Sequence, residues 1–195
     1  MTPMGRVALG LVVVGLDLTW EGFDVIPDPL GWAVAAMALG ELATRHRWFG
    51  VAARCAWAAA LVSLVAWVPV WGSPPDVPWV LSTLTTLLDV AVVVLVCSAF
   101  VDLLAGPDPG AARQAAVIRW LDPVVAVTGL ALTLWAVSTY PGAQPAGIDA
   151  GPLTPLALVL VVLGLGVRVW FLVLVLRGGD HLADPAARHP DAVRP

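Results

Sequence analysis

Asp17, Glu21, Asp24 and Asp28 fall within one stretch, GLDLTWEGFDVIPDPLGW at 15–32, between two apolar runs. Grouped carboxylates can perform acid–base work or hold a divalent cation, and no other part of the chain gathers as many. Asp89 and Arg168 lie singly inside long apolar runs. An ionisable residue at membrane depth is costly, and each one marks a candidate site whose partner should be named. Counting about 1.5 Å per helical residue, Asp17 lies roughly 16 Å above Arg6, Asp89 roughly 16 Å below Pro78, and Arg168 roughly 14 Å above Arg177. All three are expected near mid-membrane, with Arg168 neutralising one or both acids. Ser82, Thr85 or Thr86, and Asp89 recur at helical spacing and so share one face, which is expected to look into the bundle. Gly164, one turn before Arg168, is expected to let a neighbouring backbone approach.

Other chemistry is thin. There is no Ser–His pair at matching depth, no Cys beside a His, no HExxH and no phosphate-binding glycine loop. His46 belongs to a TRHRW turn, where a headgroup contact is expected. Cys55 and Cys97 stand alone in apolar segments, as small buried hydrophobes do. His181, Asp184 and His189 sit in a polar tail that reads as solvated. No cofactor is expected, and the outer acids leave metal binding open.

These residues must be positioned by elements that suit a membrane. The chain has 195 residues, 59% of them hydrophobic and 12% charged, with a mean hydropathy of +0.89, against about 25% charged for a soluble domain. A net charge of −4 with no basic stripe excludes a nucleic-acid partner. All ten basic residues are Arg, as a GC-rich bacterial genome would produce. A span needs roughly 20 residues to cross about 30 Å of hydrocarbon. Segments near 6–22, 29–44, 51–71, 78–104, 115–139 and 153–176 meet or approach that length. The expected fold is an all-α integral membrane protein, a six-helix transmembrane bundle with a short or partly re-entrant first hairpin. Residues 1–176 form one transmembrane domain, and 177–195 form a disordered cytoplasmic tail.

Every Arg outside the apolar segments falls on one side of this layout, so the positive-inside rule places both termini in the cytoplasm and the opening stretch outside. The expected location is the bacterial cytoplasmic (inner) membrane. The segment after Arg6 lacks a small-x-small cleavage site and reads as a retained helix. Trp20, Trp32, Trp48, Trp71, Trp79 and Trp120 are expected at headgroup level. Asp28–Pro29 and Asp122–Pro123 each have the form of an N-cap followed by Pro at the first helical position. On that reading, 111–120 is a short amphipathic piece at the inner surface, joined to helix five at a bend.

Residues 23–42, FDVIPDPLGWAVAAMALGEL, resemble an uncharacterised family of small bacterial multi-pass membrane proteins. Its first hairpin carries a pattern close to IDILPDFIGYILI followed by a Gly-Leu pair, with Asp24, Pro27, Asp28, Gly31 and Trp32 in the matching places. The resemblance implies a shared membrane hairpin and no activity. Physically, Pro27 disfavours helix at Ile26, Asp28 can cap helix two, and Gly31 permits close packing.

Three functions compete. The first is a small transporter, channel or accessory subunit with a midplane site of Asp17, Asp89 and Arg168. The second is a non-catalytic scaffold whose polar groups fix helix packing and which acts through a homo-oligomer or a membrane partner. Small-residue spacings such as Ala36–Gly40 and Ala52–Ala56–Ala60 fit close contacts within the chain or between copies. The third is a membrane enzyme acting on lipid or envelope precursors with a cation held by the outer acids.

Overall fold

In an apolar surrounding every backbone N–H and C=O must be paired within the chain, and helices do this locally. The computed structural model describes residues 1–15, 19–20, 23–24, 28–67, 76–139 and 154–183. Its helices are α1 (Pro3–Gly15), α2 (Asp28–Leu42), α3 (Arg47–Trp67), α4 (Asp76–Leu104), α5 (Pro109–Thr139) and α6 (Thr154–Ala183). Two-residue strands β1 (Thr19–Trp20) and β2 (Phe23–Asp24) pair antiparallel between α1 and α2, with Thr19 opposite Asp24 and Trp20 opposite Phe23. Four helices contain stretches long and apolar enough to cross a membrane: Arg47–Ala66, Trp79–Leu104, Pro109–Trp135 and Pro155–Gly179. At 13 and 15 residues, α1 and α2 extend only about 20 and 22 Å.

Three boundaries differ from the sequence reading by six or seven residues. The first helix ends at Gly15, not near 22, and the Thr19–Trp20 and Phe23–Asp24 segments are extended instead, consistent with the strand preference of Thr and aromatic residues. The fifth helix starts at Pro109 and runs through Pro123 without a break. Its cap is Asp108, whose Oδ1 accepts a hydrogen bond from Ala111 N at 3.0 Å, so the Asp–Pro cap occurs one such pair earlier than expected. The stretch 111–120 is not a surface piece, because Ala111, Ala112, Ala115 and Ile118 are buried and continue one stripe down to Asp122. The sixth helix extends to Ala183 rather than stopping near 176. By contrast, α2 begins at Asp28 with Pro29 next.

Each helix packs on its neighbours in sequence, and α6 closes the ring on α1, while α4 and α6 meet at few points. The α1–α2 contact is glycine-tight: a Cβ on Gly10 would lie 2.5 Å from Gly31 O, and one on Gly31 would lie 2.7 Å from Gly10 O. Ala52, Ala56 and Ala60 are buried within this chain. So is Trp32, which belongs to the core rather than to an interfacial belt, and whose indole N–H finds no acceptor among the described residues.

The packed core occupies one end of the bundle. Burial on α4 begins at Val92, on α5 it ends at Asp122, and on α6 it begins at Val167. Toward the far end, none of the described residues of these three helices is buried. The closed end is tied by the Arg6–Glu41 ion pair, by His46 with Asp102 at 3.3 Å, and by Phe49 edge-on to Phe100 with centroids 6.2 Å apart.

Candidate functional site

The limit of the packed core is also where the charges meet. Gly178 lies against Phe100 and Gly179 against Met4, which levels α4, α6 and α1 with one another. Counting about 1.5 Å per residue from those contacts puts Asp89, Arg168 and Gly15 all roughly 15–17 Å higher. Arg168 Nη1 donates to Asp89 Oδ1 at 2.7 Å, and Nη2 lies 2.5 Å from Asp89 Oδ2. This is the two-pronged guanidinium–carboxylate geometry that combines strength with fixed orientation. Arg168 Nε reaches Asp122 Oδ1 at 3.4 Å. One guanidinium from α6 therefore serves a carboxylate from α4 and another from α5.

The two acids are not held equally. The Asp89 side chain is 22% exposed and that of Arg168 is 32% exposed, whereas Asp122 is only 6% exposed. Asp122 Oδ2 is buried with no hydrogen-bond partner among the described residues. Two acids against one base leave a formal charge of −1 in a low-dielectric setting, where an unmet charged oxygen is costly. A proton or a cation at Oδ2 would remove that cost.

A cavity of about 420 Å³ opens beside the pair, between the C-terminal turn of α1 and the facing sides of α4 and α6. Its walls include Leu11, Val14, Val169 and Phe171, and its charged lining among the described residues consists of Asp89 and Arg168. Asp122 lies behind Arg168 and does not line it.

Of the expected trio, Asp89 and Arg168 are brought together, while Asp17 lies outside the described residues. Asp122 was assigned as a helix cap and is instead the third member. Its signal was available: in an unbroken helix over 109–135 it stands at the centre of the span. The hydroxyls above Asp89 do not form an inward polar stripe. Thr85 and Thr86 donate to Leu81 O and Ser82 O of their own helix at 3.0 Å each, and Ser82 and Thr86 are exposed. Gly164 admits no close backbone, since a Cβ there would meet Val125 Cγ1 at an ordinary 3.6 Å.

The outer hairpin residues divide. Glu21 and Pro27 lie outside the described residues, Asp24 is in β2, Asp28 begins α2, and Gly31 makes the contact with Gly10. Among the described residues, no group of three or more His, Cys, Asp or Glu is placed to hold a metal ion. Comparison with known proteins finds no match to a family model, to a curated protein or to a solved structure.

Proposed function

We propose that this chain is a small bacterial inner-membrane transporter or channel, or a subunit of one, in which the carboxylate pair Asp89 and Asp122, sharing the one Arg168, takes up a proton or cation. The observation that carries this reading is the buried Oδ2 of Asp122, unpartnered among the described residues, in a triad with one carboxylate in excess. Intramembrane acids opposed by Arg are a recurring feature of proton and ion pathways. Among the described residues of α4, α5 and α6, burial is confined to one side of the triad, a polarity that fits a site with unequal access to the two ends of the bundle. The chain crosses six times, with α1 and α2 as a short first hairpin and both termini cytoplasmic. The hairpin resemblance over 23–42 fits that layout.

Purified protein in liposomes, assayed with an internal pH dye under imposed proton, Na⁺ and K⁺ gradients, tests the proposal. Flux is expected for the native chain and is lost in Asp122→Asn while the helical signal and thermal transition persist. No flux under any of these gradients sinks it.

A scaffold role has one observation in its favour: α4 and α6 meet at few points, and the Arg168–Asp89 pair is one of them, beside Gly178 against Phe100. On that reading Asp89→Asn disrupts folding or assembly, and Asp122→Asn changes nothing else.

A further inference from the structure

We infer that the cavity between α1, α4 and α6 binds a lipophilic organic monocation, received at Asp89 as Arg168 shifts onto Asp122. The inference rests on the transport reading and names its cargo class.

The cavity's size and lining select the ligand. About 420 Å³ falls within the ~300–1,000 Å³ usual for small-molecule sites, and it exceeds what a bare inorganic ion needs. The walls from α1 and α6 are aliphatic or aromatic, Leu11, Val14, Val169 and Phe171 among them, so they offer a hydrated ion nothing to replace its water. An apolar body fits them. The charge balance then fixes the sign. Among the described residues, Asp89 and Asp122 stand against Arg168 alone, so an anion meets a net negative site, whereas a cation completes the balance. A charge shielded by hydrocarbon, as in quaternary ammonium or phosphonium compounds, satisfies both requirements.

The exchange requires little motion. Arg168 Nε already stands 3.4 Å from Asp122 Oδ1, and Asp122 Oδ2 is free to accept a second N–H among the described residues. Rotation of the guanidinium from Asp89 to Asp122 gives Arg168 a second two-pronged partner. It also leaves the Asp89 carboxylate facing the cavity for the incoming cation. With the cation at Asp89 and Arg168 on Asp122, each carboxylate has a cationic partner.

Tetraphenylphosphonium is the probe, with binding to the purified full-length chain in detergent measured by equilibrium dialysis and by quenching of Trp fluorescence. Saturable binding is expected. Asp89→Asn weakens it on the order of tenfold or more, as loss of a buried charge partner does, and Asp122→Asn weakens it because Arg168 then has no second carboxylate. Val169→Trp, which fills the cavity from an exposed wall position, abolishes binding without moving the thermal transition, so the result does not depend on the charge variants folding. If protein that still conducts ions shows no saturable binding, the inference is overturned and the transport reading stands. Binding without flux overturns the transport reading and leaves the cation site. If uncharged tetraphenylmethane or a fatty alcohol displaces the probe as well in Asp89→Asn as in the native chain, the cavity is an acyl-chain pocket, and charge recognition is wrong.

Discussion

Arg168 cannot be altered independently of its two carboxylates, because its Nη atoms hold Asp89 while its Nε reaches Asp122. Replacing Arg168 by Met leaves two acids facing one another at membrane depth. Removing one partner of a buried pair costs about 3–5 kcal/mol, and here two partners are stranded. Arg168→Met is therefore expected to lower the thermal transition in detergent more than Asp122→Asn does. The double variant Arg168→Met/Asp122→Asn should recover part of the loss, with a coupling of about 0.5–3 kcal/mol. If the losses simply add, Asp122 and Arg168 do not interact. The meeting of Asp89 and Arg168 was legible from depth counting alone, since each stands far from the nearest loop. Asp122 was not, because an Asp–Pro pair has the local form of a helix start. Local capping rules are silent on whether a Pro interrupts a membrane helix or is absorbed by it, and here the stripe of Ala111, Ala115, Ile118 and Asp122 carries the helix through.

At the scale of elements, the α1–α2 hairpin depends on two glycines that lie back to back. A methyl on Gly10 or Gly31 would press on the other's carbonyl at 2.5 or 2.7 Å, and backbone cannot yield as the tip of a side chain can. Gly10→Ala and Gly31→Ala are each expected to destabilise by about 1–3 kcal/mol, read as a lower midpoint in denaturant. Gly40, Gly129 and Gly166 have nothing within 4 Å of such a methyl. Alanine there should be neutral or stabilise by about 0.5–1 kcal/mol, since helical glycine is unfavourable. Equal effects at all five positions would remove the hairpin contact as a determinant of packing. The value of Gly31 for close packing could be read from the sequence, but its partner could not, because register between α1 and α2 is a tertiary property. The same limit applies to Ala52, Ala56 and Ala60. Their spacing fitted contacts within or between chains, and their burial assigns them to contacts within the chain. Pro123 tests the continuity of α5. With no N–H to give, it leaves the Arg119 carbonyl without its helical donor, so Pro123→Ala should raise the thermal transition while shifting Asp122 relative to Arg168. A change in cation or proton flux without loss of fold is the expected signature.

For the whole molecule, the apolar patterning set the membrane class and four of the spans, and the uncertain part was the first hairpin, where length and composition disagree. Helices of about 20 and 22 Å fall short of the ~30 Å hydrocarbon core. Their closed ends are fixed by Arg6 with Glu41 and by the contact of Gly179 with Met4, so the shortfall lies at the other end, beside the triad. The C-terminal turn of α1 there borders the cavity that also reaches Asp89. The proposed six-span layout with cytoplasmic termini predicts which positions are reached by water from which side. In a background with Cys55 and Cys97 replaced by Ala, single cysteines at Thr44 and Arg177 should react with a membrane-impermeant maleimide only after the cytoplasmic face is opened. A cysteine at Ser138 should react from outside in intact cells. A cysteine at Asp28 is the informative case. If the hairpin spans fully, it reacts from outside as fast as Ser138→Cys. If the hairpin stops short at the triad, it reacts from the same side but several times more slowly, and small charged methanethiosulfonates reach it when a bulky maleimide does not. Reaction of the Asp28 cysteine from the cytoplasmic face would reverse the proposed orientation of α1 and α2.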